Sequence, residues 1–223
     1  EVRSMNVNLI GVGAGYSYVV SGPTHQCYED ITIMRALPNF QVLSPADHVT
    51  TSSLFEDCVT TNGLRYFRLD AQVQPVLYTL DLPSTTDGFH FHQKGEKVCF
   101  IATGFMTHTA FKVAEEINKI GFKVGIIDIF NLTNFSKEGL KKVLESYLAI
   151  VSFEEGFRGR GGLDSMLFEF IAESELNLKT LSIGVDPGYS FELGSRNEIH
   201  EKVGIGTESA VKKIQPFVQT IMK

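Results

Sequence analysis

Short β-branched runs alternate with stretches of helical periodicity along most of the chain. Val7–Val12 (VNLIGV) reads as a buried strand. Residues 26–37 place Cys27, Ile31 and Met34 on one helical face, with Glu29 and Asp30 in the first turn, where the helix dipole favours acids. Pro38-Asn39 stops that helix, and FQVLS (40–44) reads as the next strand. Asp47 is placed to cap a helix carrying Val49, Leu54 and Cys58. LRYFRL (64–69) and PVLYTL (75–80) read as further strands.

Residues 81–97 are polar and turn-rich and read as a linker, with a small hairpin at Phe89–His92. A clean α/β succession follows. KVCFIATG (97–104) is a strand entering a glycine. Ala110, Val113, Ala114, Ile117 and Ile120 mark one helical face, with Gly121 suited to the residue after its end. FKVGIIDI (122–129) is a strand. Ser136 caps a helix with Leu140, Val143, Leu144 and Tyr147 inward. LAIVSFE (148–154), a helix from Leu163, KTLSIGV (179–185) and a last helix capped by Thr207 complete the series. Ala210, Val211, Ile214, Val218 and Ile221 face inward there, and Pro216 is expected to kink it. Such alternation predicts an α/β fold with largely parallel sheets and helices on both faces.

Composition removes several classes of function. The 223 residues are 43% hydrophobic and 21% charged, a globular profile, with net charge −6. A chain that grips nucleic acid or an anionic membrane is rewarded for a basic surface, so neither is an expected partner. No apolar run approaches spanning length. Cys27, Cys58 and Cys99 are too few, odd in number and scattered, which speaks against a disulfide framework or a zinc site. They read as small buried hydrophobes in a reducing, cytoplasmic compartment. The chain starts without Met and enters an apolar segment almost at once, so a partial chain is expected.

The loop after the first strand is in the right place for a site. Ligands of open α/β sheets collect at the carboxyl ends of strands. Gly13-x-Gly15 lacks the third glycine of a dinucleotide loop, since position 18 is Tyr, and no Walker lysine follows. GPTHQ (22–26) says more. Gly22-Pro23 fixes a turn, Thr24 is placed to cap a helix, and His25 falls near that helix's N-terminus, where the dipole favours a neutral imidazole able to give or take a proton. The same placement also suits a histidine that only caps or packs at the loop edge.

The stretch GPTHQCYEDITIMRALPNFQVLSPAD, residues 22–47, resembles the transketolase family of thiamine diphosphate enzymes. So do residues 97–104, 122–129 and SFEEGFRGRGGLDS (152–165), which look like that family's C-terminal domain. The resemblance implies two three-layer α/β/α domains with largely parallel sheets, the first incomplete. Residues 1–80 would be the later part of a pyrimidine-binding domain, 81–97 a linker, and 98–223 the transketolase C-terminal domain. It implies transfer of a two-carbon ketol unit between sugar-type substrates. His25 would act at the substrate beside the thiazolium. Ser21 stands where the family has a substrate-contacting aspartate. Arg68 lies three residues from Ala71, the place of a phosphate-gripping arginine. The family's HD pair falls on Gly13 and Ala14, which puts the usual ketose-phosphate specificity in doubt.

Thiamine diphosphate and Mg²⁺ are implied for the full assembly. No GDG motif is present; Asp87-Gly88 sits in the polar stretch with no strand leading in. The family's activating glutamate belongs upstream of the 21 residues that precede Gly22. Cofactor-binding residues are therefore expected upstream of residue 1 or on a partner, and none bound to this chain alone. The implied partners are a diphosphate-binding domain or subunit, in a homodimer or heterotetramer. Alternatives are a deoxyxylulose-phosphate synthase-like protein, a β component of a 2-oxo acid dehydrogenase, or a non-catalytic assembly module of the same fold.

Four further constellations suit either chemistry or a plain structural role. His90-x-His92 has metal-ligand spacing on one strand face, but no third ligand nearby, and suits a surface hairpin. Glu154-Glu155 at a strand end is either a catalytic pair or, as the resemblance implies, a support for loop amides at a helix start. Arg158 and Arg160 suit an anion or a solvated loop, and Ile101–Phe105 a phosphate cradle or a tight turn at Gly104.

Overall fold

The computed structural model describes residues 5–78 and 84–223. They form two α/β units. The first is a three-stranded parallel sheet of order β1-β3-β2, built from Val7–Val12 (β1), Phe40–Leu43 (β2) and Leu64–Leu69 (β3). Three strands make it an incomplete version of the expected domain. Asp30–Arg35 (α1) precedes β2, and Asn39, at φ 68°, reverses the chain into that strand. His48–Thr60 (α2) follows, with the Asp47 side chain accepting from the Thr50 amide as an N-cap should. Phe67 at the centre of β3 stacks on Phe55 of α2, ring centroids 4.1 Å apart.

The second unit is a five-stranded sheet of order β4-β6-β5-β7-β8. Its strands are Phe89–Gln93 (β4), Val98–Ala102 (β5), Gly125–Ile129 (β6), Ala149–Phe157 (β7) and Lys179–Val185 (β8). All pairings are parallel except β4 on β6. β5 and β6 are buried at every position, as strands covered on both faces must be. Phe105–Lys119 (α3) and Thr207–Met222 (α7) pack one face; Lys137–Leu144 (α4) and Leu163–Glu173 (α5) pack the other. Arg196–Lys202 (α6) is a short helix beside α7.

The two sheets share their cores. Tyr16 and Tyr28 lie in the cluster under α3 and α7, Ile31 and Val42 in the cluster under α5, and Phe130 joins Phe67, Leu43 and Leu54. Main-chain bonds cross as well. Ser44 N donates to Phe130 O and Leu132 N to Val42 O, both at 2.8 Å, which pairs β2 with the segment after β6.

Several local expectations change. β1 is not buried: Leu9, Ile10 and Val12 are exposed, because β1 is an edge strand with no neighbour beyond it among the described residues. The helix expected over 26–37 is only Asp30–Arg35, since residues 26–29 lead out of a glycine-hinged loop. Residues 75–78 form no strand. The Leu77 and Tyr78 amides bond to Asp47 Oδ2 instead of a ladder, and Thr79 and Leu80 lie outside the described residues. Phe89–His92 is not a hairpin but most of β4, paired with β6. The N-cap of α7 is Gly206, with Thr207 as the first helical residue, and α7 runs through Pro216 as one element. Gly121, at φ 91°, ends α3 as expected, and Ser136 caps α4 through the Gly139 amide.

Candidate functional site

The loop from Gly13 to Glu29 crosses the carboxyl end of the first sheet. Its entry is tied to β3 by the Gly13 and Ala14 amides, both on Leu69 O. Gly15 and Cys27 exchange two main-chain bonds of 3.0 Å and close the loop at its base. Val19–Thr24 coils as a 3₁₀ segment broken at Gly22, whose φ of 66° glycine tolerates without cost. His25 ends that segment, its amide on Gly22 O, five residues before α1 begins. The ring is thus not at a helix N-terminus, and the dipole argument for it does not apply.

His25 and Ser21 lie side by side on the exposed surface of this turn. The Thr24 hydroxyl is 3.2 Å from Ser21 O and 2.9 Å from His25 Nδ1. One hydroxyl carries one proton. If it goes to the Ser21 carbonyl, Nδ1 is the donor to Thr24. Tyr18 meets the ring edge-on at 6.2 Å.

Arg68 is elsewhere in kind. Its guanidinium is buried, with Nε on Asp30 Oδ2 at 2.8 Å and Nη2 on Cys27 O and Glu155 O, both at 3.2 Å. It joins the loop's exit, α1 and the second unit, and its side chain is an internal strut. Ala71, three residues on, is exposed.

The two adjacent glutamates at the end of β7 point to opposite tasks, as alternation along a strand requires. Glu154 accepts the Leu163 and Asp164 amides at 2.9 Å each and so caps α5, as the resemblance implied. Burial pushes its carboxyl up to about 7, against the pull of those amides. Glu155 faces the first unit. Arg196 grips it with two bonds of 2.9 and 2.6 Å, and His200 Nε2 lies 2.6 Å from Oε1. Burial opposes its charge, but Arg196 and His200 hold the carboxyl well below the usual carboxylate range. A carboxylate only accepts, so His200 Nε2 carries a hydrogen. Arg196 also reaches Asp70 at the end of β3, at 2.5 Å, and lies over the Phe105 ring at 3.6 Å.

A second buried carboxyl, Asp128 on β6, accepts from Tyr78 Oη at 2.6 Å and Thr107 at 2.9 Å, and burial lifts it to about 7. His90 and His92 are not surface groups. Their rings meet edge-on at 4.7 Å under Tyr78, and burial lowers both, His92 to about 4. Arg158 pairs with Asp186 at the surface while Arg160 is exposed, and Gly104 turns its amide to Ser44 O. Cys58 and Cys99 are buried and Cys27 half-buried.

Sequence reasoning missed Asp70, Arg196, His200 and the Tyr78–Asp128 pair. Only α6 carried a local signal, the Ser195-x-x-Glu198 capping box. A cleft of about 220 Å³ lined by Pro45, Asp47, His48, Leu69, Asp70 and Gln72 opens at the carboxyl ends of β2 and β3.

Family comparison accounts for both units. The family model described as transketolase, pyrimidine binding domain, matches residues 2–74, and that described as transketolase, C-terminal domain, matches residues 89–209. The chain belongs to the transketolase family. A Methanocaldococcus jannaschii protein described as a transketolase C-terminal section is 27% identical over 94% of this chain and 66% of its own length. An apulose-4-phosphate transketolase subunit from Actinobacillus succinogenes is 26% identical over 94% of this chain and 67% of its own. A split-gene transketolase, solved as an inactive tetramer of beta chains, superposes with a TM-score of 0.83 at 27% identity, over 96% of this chain and 67% of that one. The chain spans about two thirds of the length of these relatives.

The cofactor of the family, thiamine diphosphate with Mg²⁺, needs a cluster of oxygen ligands for its metal. Among the described residues no group of three or more His, Cys, Asp or Glu is arranged to hold a metal ion. No helix among the described residues is long and apolar enough to cross a membrane.

Proposed function

We propose that this chain is the C-terminal portion, or the corresponding subunit, of a transketolase-like enzyme that moves a two-carbon ketol unit between sugar-type substrates. A diphosphate-binding domain or subunit would hold thiamine diphosphate and Mg²⁺, in a homodimer or a heterotetramer. The observation that carries the reading is the exposed His25 on the GPTHQ turn at the carboxyl end of a parallel sheet, in a chain matched by both family domains. An exposed imidazole can hydrogen-bond a sugar hydroxyl and take or return its proton as a carbon–carbon bond opens or closes. Ser21, on the same turn, would meet the sugar beside it, and Arg68 would serve by holding the loop. A division of the enzyme between two polypeptides, as the names of the split-gene and apulose-4-phosphate relatives describe, agrees with this reading.

The test is reconstitution with the diphosphate-binding partner and assay of ketol transfer. His25→Ala should lower turnover by about 10²-fold or more, the usual scale for losing a general acid–base group. Its thermal midpoint should stay at the wild-type value, because the ring is exposed. Unchanged turnover would remove His25 from the mechanism. No turnover in the wild-type assembly with any ketose donor would favour the non-catalytic module.

A further inference from the structure

We propose that Glu155, held by Arg196 and His200, is the positioning residue for the Gly13–Glu29 loop and, through it, for the His25 ring. The residue belongs to the second unit, yet it meets the entry stem of a loop of the first directly and its exit stem through Arg68. At the entry stem its carboxylate lies against the backbone of Gly15 and accepts the Tyr16 amide at 3.4 Å. A Cβ on Gly15 would come within 2.3 Å of Glu155 Oε2, and Gly15 has φ 54°, so the close approach needs glycine. At the exit stem the main-chain oxygen of Glu155 and that of Cys27 accept from the same Arg68 Nη2. Gly15 and Cys27 are also the pair whose mutual bonds close the loop, and His25 is two residues from Cys27.

Tyr16 and Tyr28 anchor the loop in the core, and Tyr28 Oη bonds Gln26 Oε1, but part of its polar interior is left over. Tyr16 Oη, Ser17 Oγ and Gln26 Nε2 are buried without a hydrogen-bond partner among the described residues. Buried polar groups left unpaired weaken the conformation that buries them. The charged clamp outside the loop adds to that apolar anchoring a fixed polar contact at the entry stem. It is a closed set: Arg196 forks onto Glu155, reaches Asp70 and stacks on Phe105, while Arg68 pairs with Asp30. Removing one carboxylate from such a set leaves buried cations short of a partner.

The positioning of the loop stands on this geometry alone; its consequence for turnover rests on the function proposed above. The experiment has two arms. In the first, amide hydrogen exchange is followed in the intact chain at Gly15, Tyr16 and Cys27. Glu155→Gln should speed exchange at these three by about tenfold or more, while Phe100, Ile127 and Val151 in the central strands exchange as in wild type. Arg196→Lys keeps the charge and loses the fork, and should fall between the two. If Glu155→Gln does not fold, Arg196→Lys alone decides. Wild-type exchange at the three amides in the folded variants would overturn the proposal.

The second arm is a double-mutant cycle in the reconstituted enzyme. Glu155→Gln should lower kcat with KM little changed, and should add less than about twofold to the loss from His25→Ala. Additive losses would overturn the link from Glu155 to His25. If the wild-type assembly has no turnover, the functional reading falls, and the exchange arm still judges the loop.

Discussion

Single residues in this chain show how much burial alone can decide. Asp128 is a carboxyl with two good donors, Tyr78 and Thr107, yet burial still lifts it to about 7. Asp47 adds to that push, and the neighbouring His90 and His92 are themselves driven toward the neutral form. The sign follows directly. Asp128 is protonated more readily in the folded chain than in the unfolded one, so it favours folding fully below about pH 4, and that contribution disappears as pH rises through about 7. Asp128→Asn cannot ionise. Between pH 5 and pH 8 the variant should gain roughly 2–3 kcal/mol on wild type, read from urea unfolding at both pH values. A constant difference across that range would show that the carboxyl ionises normally.

At the scale of elements, local chemistry and long-range pairing divide the work. Asp47 and Ser136 cap their helices as their sequence context indicates, because a cap bond spans three residues and its signal is complete within the motif. The helical faces of α3 and α7 are legible for a similar reason: periodicity is a local property. β4 is different. Its two histidines and its polar surroundings hide a strand that pairs with β6, over thirty residues away in sequence. PVLYTL has the composition of a strand, but Asp47 takes the amides that a ladder would use. The turn at Gly22-Pro23 in the loop at the sheet's end was legible, but the helix start expected at His25 was not there, because α1 begins five residues later. The Glu155–Arg196 pair was not, since its partners are separated by 41 residues and neither sits in a motif that implies the other. The small helix α6, which delivers Arg196 and His200, depends on its capping box. Ser195→Ala should cost about 1 kcal/mol and lower the thermal midpoint by a few degrees, with new proteolytic cleavage near residues 190–200. An unchanged midpoint would mean that packing on α7 alone holds α6.

The whole molecule is tied into one body by its cores. Each of the three apolar clusters draws side chains from both units. Phe130 is the sharpest case: it follows a strand of the second sheet and is fully buried against Phe67 of the first. Phe130→Ala should cost about 3–5 kcal/mol and move a single urea transition to lower concentration, with probes in either unit reporting the same midpoint. Two separated midpoints would show that the units fold independently.

The stitching of β2 to residues 130–132 also bears on how relatives of this protein can be recombined. A crossover placed in the polar stretch before β4 would bring together a β2 edge and a β6 extension that had never met. Every parent supplies the main-chain groups of the Val42–Leu132 and Ser44–Phe130 bonds, but their alignment would then depend on side chains packed together from two parents. Hybrids should survive best when residues 40–47 and 128–133 come from the same parent, wherever else the genes are cut.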